Sequence, residues 1–233
     1  MPGWPDAGRL IVQGPLFRRL LKRISAETSD LRIILNAGAG EGLFSPLLLS
    51  AAGLHLLAEI DQSYHPPSRR PDTCQKIVTS SVTAIPFAMS TFDLVLCTEV
   101  LEHVEDDGRA LDEMRRVLRP GGWLLITVPT PPAVYDPAHV REGYGESEMR
   151  RMLTTRGLDV IEVGFCMHAA FKLLMRRWRR LGRMRQATIF ALALADRVWP
   201  MGRPMDLIVL SRLPLSTDKA KFSDCVESRS ARP

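Results

Sequence analysis

The chain has 233 residues, 45% of them hydrophobic and 24% charged, with a formal net charge of +5; this is ordinary for one globular domain with a sizeable core. Its four cysteines (74, 97, 166 and 225) form no C-x-x-C, which argues against a zinc centre or disulfide framework and suits a reducing cytosol. No apolar run reaches the length of a transmembrane helix, and Leu10 to Val12 is too short for the core of a signal peptide, so a cytoplasmic protein is expected.

In chain order, Gly14 to Ile24 reads as an amphipathic helix. Leu16, Phe17, Leu20, Leu21 and Ile24 share one face, and Arg18, Arg19, Lys22 and Arg23 face solvent. Strands are expected at 32–37, 54–60, 76–79, 92–98, 122–128, 158–165 and 206–212, with helices between most of them. The first strand runs into Gly38-Ala39-Gly40-Glu41-Gly42, and a helix-like pattern, Leu43 to Ala52, follows. The crossover 62–75 holds Pro66, Pro67 and Pro71 and is expected to be irregular. Arg119-Pro120-Gly121-Gly122 reads as a helix stop and turn. The polar stretch 214–233 is expected to be a disordered tail, leaving one domain over 1–213 with an insertion at 166–205. Alternating strands and helices imply an α/β fold, a doubly wound, mostly parallel seven-stranded sheet that binds its ligand at the carboxyl ends of the strands.

Glycine at 38, 40 and 42 permits a sharp turn and close ligand approach. Read alone, it is an ordinary Gly-rich βα turn. The dinucleotide pattern G-x-G-x-x-G fails, because the sixth position is Leu43, and no G-x-x-x-x-G-K-[ST] occurs. The second apolar run ends in Glu59 and Asp61. Asp61 lies 23 positions after Gly38, where a carboxylate at a strand tip can accept ribose hydroxyls.

A second block reads Thr79-Ser80-Ser81-Val82-Thr83-Ala84-Ile85-Pro86-Phe87, then Phe92-Asp93-Leu94-Val95-Leu96-Cys97-Thr98-Glu99-Val100-Leu101-Glu102-His103-Val104. Ala110-Leu111, Glu113 to Gly122 and an apolar run Trp123 to Val128 follow. With the glycine loop, this order of motifs resembles the class I S-adenosylmethionine-dependent methyltransferases over about residues 30–165, most of all the type 11 group and the ubiquinone-biosynthesis O-methyltransferases. The resemblance implies a Rossmann-like methyltransferase fold. It also implies S-adenosylmethionine as cofactor, held by Asn36, Gly38, Gly40, Gly42, Asp61, Ser81, Val82 and Thr98. The family usually carries acids where this chain has Asn36 and Ser81. Two neutral hydrogen bonds in place of charged ones imply weaker cofactor binding. The expected function is O-methylation of a small molecule, glycan or lipid-linked precursor. A non-catalytic S-adenosylmethionine-binding regulatory protein is one alternative.

Methyl transfer from a sulfonium needs positioning, and a hydroxyl acceptor needs a base. His103, after the fourth strand, and His139, in the long connection 128–145, are the candidates; His55 and His65 lie in poor places. In blander terms, His103 packs at a helix start and His139 lies on the surface. If a helix begins near Glu99, then Glu99, Glu102 and His103 share one face and His139 can join them around a divalent metal. Small-RNA 3′-end methyltransferases are similar in carrying E-x-x-E-H and a distant His around magnesium, which gives the second alternative, a metal-dependent RNA or ribose methyltransferase. They add a further His where this chain has Asp106 and Asp107. Glu99 as a plain strand end is the simpler option.

The insertion is strongly basic. From Val163 to Ala195 there is no acidic residue, while Lys172, Arg176, Arg177, Arg179, Arg180, Arg183 and Arg185 leave the remainder of the chain net negative. Over 168–185, Phe171, Leu174, Met175, Trp178 and Leu181 form one helical stripe, and a second apolar segment, Ile189 to Ala195, follows. A solvated face, a site for phosphate-bearing substrates and an interfacial helix on an anionic membrane all fit. Nucleic acid fits less well, because the basic run lacks interleaved aromatics.

Overall fold

The computed structural model describes residues 6–28, 31–50, 54, 56–61, 75–133, 136–169, 172 and 185–215. Residues 62–74 of the expected crossover 62–75, His55, His65, most of the basic run and the tail beyond Leu215 lie outside them.

Seven strands form one sheet: β1 (Ile33–Ala37), β2 (Leu56–Asp61), β3 (Gln75–Thr79), β4 (Phe92–Thr98), β5 (Leu118–Pro129), β6 (Asp159–Cys166) and β7 (Asp206–Arg212). Their order is β3-β2-β1-β4-β5-β7-β6; β7 runs antiparallel to both of its neighbours, and the other pairs are parallel. The chain reverses its direction of winding between β1 and β4. In a doubly wound sheet that switch point leaves a crevice at the carboxyl ends of the strands.

Alternation along the strands feeds two cores. Leu94, Leu96, Trp123 and Leu125 point to one face, with Phe17, Leu20, Leu21 and Ile24 of helix α1 (Asp6–Glu27) and Leu48 of the short α2 (Ser45–Leu49). Val95, Cys97, Leu124 and Ile126 point to the other face, under Ala110, Leu111, Met114 and Val117 of α3 (Asp107–Val117) and Met149 and Leu153 of α4 (Glu146–Thr154). A last helix, α5 (Arg185–Val198), packs against α1.

Three expectations need correction. Helix α1 does not start at Gly14; it starts at Asp6 and carries Pro15 inside. An interior proline costs about 3 kcal/mol. The first turns are held by tertiary bonds: Gln13 Nε2 donates to Asp206 Oδ2 at 2.9 Å, and Arg9 pairs with Glu99 at 3.4 Å. The helix after the glycine loop is shorter than the pattern Leu43 to Ala52, with Ser50 closing it. Strand β5 begins at Leu118, not at Gly122. Arg119 to Gly122 is a bulge within the strand, since Phe92 pairs with Leu118 and Leu94 with Trp123. Gly121 takes φ +81° there, so the turn is real, but pairing resumes on both sides of it.

Candidate functional site

A cavity of about 1020 Å³ opens at the switch point, lined by Asn36, Gly38, Gly40, Asp61, Ser81, Val82, Thr98, Glu99 and His103 among others. The tips of β1 and β2 are stitched together beneath it. Gly38 and Ala39 both donate backbone N–H groups to the Ile60 carbonyl, at 2.8 and 3.0 Å, and Gly40 donates to Asp61 Oδ2 at 2.9 Å. Asp61 therefore orders the glycine loop as well as facing the cavity. Gly38 has φ +74°, and a Cβ there would stand 2.2 Å from Val100 Cγ2. Glycine at 38 is thus demanded by both backbone and space.

Gly42 departs from its expected role. It does not line the cavity; its φ is +71°, and a Cβ there would lie 2.7 Å from Ser45 Oγ. It turns the chain into α2. Asn36 reaches the cavity but also donates to Glu59 Oε1 at 3.2 Å. Glu59 is buried and takes further short hydrogen bonds from Ser45 Oγ and Gln75 Nε2. An acid at position 36 would face that carboxylate, which gives a physical reason for a neutral amide in this chain. The alternation of β2 puts Glu59 on the same face as Asp61, the only sequence signal for its role. Ser81 Oγ accepts the Thr83 N–H at 3.1 Å and shares a hydrogen bond with Thr83 Oγ1, so its hydroxyl shapes the turn after β3 at the cavity wall.

The acceptor side lies between the ends of β4 and β5. Glu99 follows β4 with φ +52°, donates its N–H to the Thr127 carbonyl, and pairs with Arg9. No helix starts there. The next turn is a short 3₁₀ segment, Leu101–His103. Glu99 is therefore separated from the expected metal set, because a left-handed residue breaks the face that a helix would have shared. The remaining three do meet. One ligand atom each from Glu102, His103 and His139 lies within 4.8 Å of the others. The His103 and His139 rings stand edge to face with centroids 4.6 Å apart, and His103 Nε2 is 4.0 Å from Glu102 Oε1.

The connection after β5 brings His139 in. Val140 N–H bonds the Glu102 carbonyl at 2.8 Å, and Tyr144 N–H bonds the Pro129 carbonyl at 2.8 Å. The Tyr144 hydroxyl lies 3.0 Å from the Leu101 carbonyl and 2.9 Å from Asp107 Oδ2. His103 Nδ1 lies 3.1 Å from the Ala138 carbonyl. A carbonyl only accepts, so Nδ1 carries a proton, and in the neutral ring the lone pair lies on Nε2. Glu102 is 1% exposed, and among the described residues neither of its carboxylate oxygens has a hydrogen-bond partner. Burial pushes its pKa up to about 7, with its own backbone N–H and then Arg9 opposing the rise and Asp206 and Asp136 adding to it. Burial and the neighbouring His103 push the His139 pKa down.

A family model described as a methyltransferase domain matches residues 35–126. A protein of Mycolicibacterium smegmatis named a probable S-adenosylmethionine-dependent methyltransferase is 28% identical over 167 residues, covering 66% of this chain and 61% of that protein. The ubiquinone/menaquinone biosynthesis C-methyltransferase UbiE of Haemophilus ducreyi is 32% identical over 133 residues, covering 51% of this chain and 50% of that one. The chain thus spans less than two thirds of the length of these curated relatives. Among solved structures, the 1,6-didemethyltoxoflavin-N1-methyltransferase of Burkholderia thailandensis, with 1,6-didemethyltoxoflavin and S-adenosylhomocysteine bound, shares the fold at a TM-score of 0.57 and 18% identity, over 84% of this chain and 77% of that one. Residues 35–126 thus match a methyltransferase domain, and the chain is similar to S-adenosylmethionine-dependent methyltransferases in sequence and in fold, with the glycine loop tied to the β2 tip and the cavity at the switch point.

Proposed function

We propose that the protein transfers the methyl group of S-adenosylmethionine to a hydroxyl oxygen of a small molecule, glycan or lipid-linked precursor, which it meets at an anionic membrane face touched peripherally. The names of the relatives mention carbon and nitrogen acceptors, so the choice of oxygen rests on the site. The observation that carries it is His103: it lines the cofactor cavity, and its Nδ1 is committed to Ala138, which leaves Nε2 to take a proton. Bound S-adenosylmethionine supplies an activated methyl group on sulfur. The chain's own residues then have positioning and proton removal to perform. Gly38 and Gly40 would let the cofactor approach the backbone, Asp61 would hold its ribose, Ser81 and Val82 its base, and Thr98 would floor the cleft. Labelled-methyl incorporation into a fractionated cell extract tests the reading: label should enter a small-molecule or lipid fraction, and His103→Ala should abolish it while cofactor affinity stays intact. Label entering no fraction sinks the enzymatic reading, and an undiminished rate in His103→Ala removes the base.

A second reading has Glu102, His103 and His139 holding a divalent ion, with an RNA ribose hydroxyl among its acceptors. The specific observation favouring it is the buried Glu102 carboxyl beside two imidazoles. A set of two nitrogens and one oxygen suits manganese, iron or zinc better than magnesium. Calorimetric titration with manganese or zinc should show binding to wild type and a loss in Glu102→Gln. No heat from either metal, with turnover unaffected by chelator, leaves the cluster as a proton-handling group only.

A further inference from the structure

Helix α5 has two unlike faces. Ala193 and Asp196 are buried on the side toward the protein body, where both Asp196 oxygens accept the His168 backbone N–H, at 2.9 and 2.7 Å. On the outer side, Phe190, Leu194 and Val198 follow one another at every fourth residue and are 56%, 39% and 72% exposed. Trp199 and Met201 extend the row into the next turn, at 73% and 58% exposed. A run of large apolar side chains held out in water marks an interaction surface.

The charge around this row points to its partner. In α5 and the loop that follows to Met205, the sole acidic residue is the buried Asp196, while Arg197 and Arg203 are exposed. In the sequence, residues 172–184 before α5 carry six basic residues and no acid, and Arg185 opens the helix. Lys172 and Arg203 together line a cavity of about 240 Å³ with Thr130, Pro131, Pro132 and Met205. A second copy of this chain laid face to face would set positive charge against positive charge, since a two-fold contact repeats the same patch on both sides. A phospholipid surface supplies both complements at once, phosphates for the cations and an acyl boundary for the apolar row.

We infer that α5 and residues 199–205 dock the protein on an anionic phospholipid surface, with Phe190, Leu194, Val198 and Trp199 at the acyl boundary and Lys172 and Arg203 on lipid phosphates. This rests on the peripheral membrane contact of the proposed function and names the surface that makes it. It also bears on the acceptor. The insertion leaves the sheet at the carboxyl end of β6, and its cationic cavity is walled by Thr130 to Pro132, the start of the connection that carries His139. An amphiphilic acceptor then enters from the lipid side.

Flotation of the full chain with phosphatidylglycerol vesicles and with phosphatidylcholine vesicles, each at low and high salt, tests the inference. Wild type should float with phosphatidylglycerol at low salt, and high salt or phosphatidylcholine should release it. Lys172→Gln/Arg203→Gln should weaken binding roughly thirtyfold, and Phe190→Ser/Val198→Ser/Trp199→Ser should abolish it, with thermal melting and cofactor affinity unchanged as proof of folding. Wild type that floats while both variants float equally overturns this surface and leaves peripheral contact standing on another face. Wild type that never floats overturns both. Equal flotation on phosphatidylcholine overturns the assignment of Lys172 and Arg203. A dimer in light scattering that the serine variant splits would assign the apolar row to a protein contact instead.

Discussion

Replacing Gly38 by alanine separates two costs that the site geometry combines. The first is backbone: φ +74° is left-handed, which costs an L-residue roughly 1–2 kcal/mol. The second is steric. The new Cβ would stand 2.2 Å from Val100 Cγ2, 3.0 Å from Cγ1 and 3.2 Å from Cβ, so Val100 or the loop must move, at roughly 1–3 kcal/mol for overpacking. Together they give a loss of about 2–5 kcal/mol, or a drop in Tm of about 2–4 °C per kcal/mol for a chain of this size. Val100→Ala alone removes two half-buried methyl groups and should cost about 1 kcal/mol. The double variant keeps the backbone cost but loses both of the tighter contacts. Its destabilisation should therefore fall short of the sum of the singles by about 1–3 kcal/mol in a double-mutant cycle by urea denaturation. Cofactor affinity measured by calorimetry should follow the same order, weakest in Gly38→Ala and partly recovered in the double. Additivity within about 0.5 kcal/mol would refute the steric argument and leave the left-handed backbone as the whole reason for glycine at 38.

Asp61→Ala should weaken S-adenosylmethionine binding by about 1.5–3 kcal/mol, while Asp61→Asn, which still accepts the Gly40 N–H, should lose less; equal affinity in all three proteins removes Asp61 from the cofactor site. His103→Ala should lower kcat by about 10²–10⁴-fold, and a loss confined to KM would show that the ring binds the acceptor without taking its proton. Burial holds the Asp206 carboxyl up at about 6, against the pull of Arg9 and Gln13. Its folded pKa thus exceeds the unfolded value of about 3.9, so this group's contribution is fully present below about pH 4 and is lost as pH rises through about 6. Asp206→Asn should flatten that part of the stability profile and raise Tm near pH 7.5 (about one and a half units above the folded pKa), and a Tm–pH curve parallel to wild type would count against it.

The sheet was legible wherever one strand's own residues carry the signal. Phe92 to Thr98 and Asp206 to Arg212 fall where the apolar runs put them, because a buried strand must be apolar on both faces. The start of β5 was hidden by Arg119-Pro120-Gly121-Gly122, whose residue types mark a turn; whether pairing resumes before it depends on β4, which a local pattern does not contain. The glycine loop was equally legible as a turn, being contiguous, and Asp61 does reach it, by the bond from the Gly40 N–H. Of the two options for Glu99, the strand end holds and the helical face fails, for a definite reason. The i, i+3, i+4 argument assumes helical dihedrals from Glu99 onward, and φ +52° there turns its side chain toward Arg9. The meeting of Glu102, His103 and His139 survives that error because it depends on the connection after β5, which is tied back by Val140 to the Glu102 carbonyl.

What no local pattern contained is the double duty of α1. Its later turns follow the apolar periodicity and bury Phe17, Leu20 and Ile24 against the sheet. Its earlier turns carry Arg9 and the fully buried Gln13, polar residues that look out of place until their partners arrive from elsewhere in the chain: Glu99 after β4, and Asp206 at the start of β7. A buried amide or guanidinium is tolerated only where such partners exist, and these partners stand at the carboxyl edge of the sheet, beside the cofactor cavity. Arg9 is also the cation that opposes the raised pKa values of both Glu102 and Asp206. The front of α1 thus closes the cleft and sets its charge through the same side chain. Truncating Arg9 would remove a wall of the site and, in the same step, push both carboxyls further toward their neutral forms.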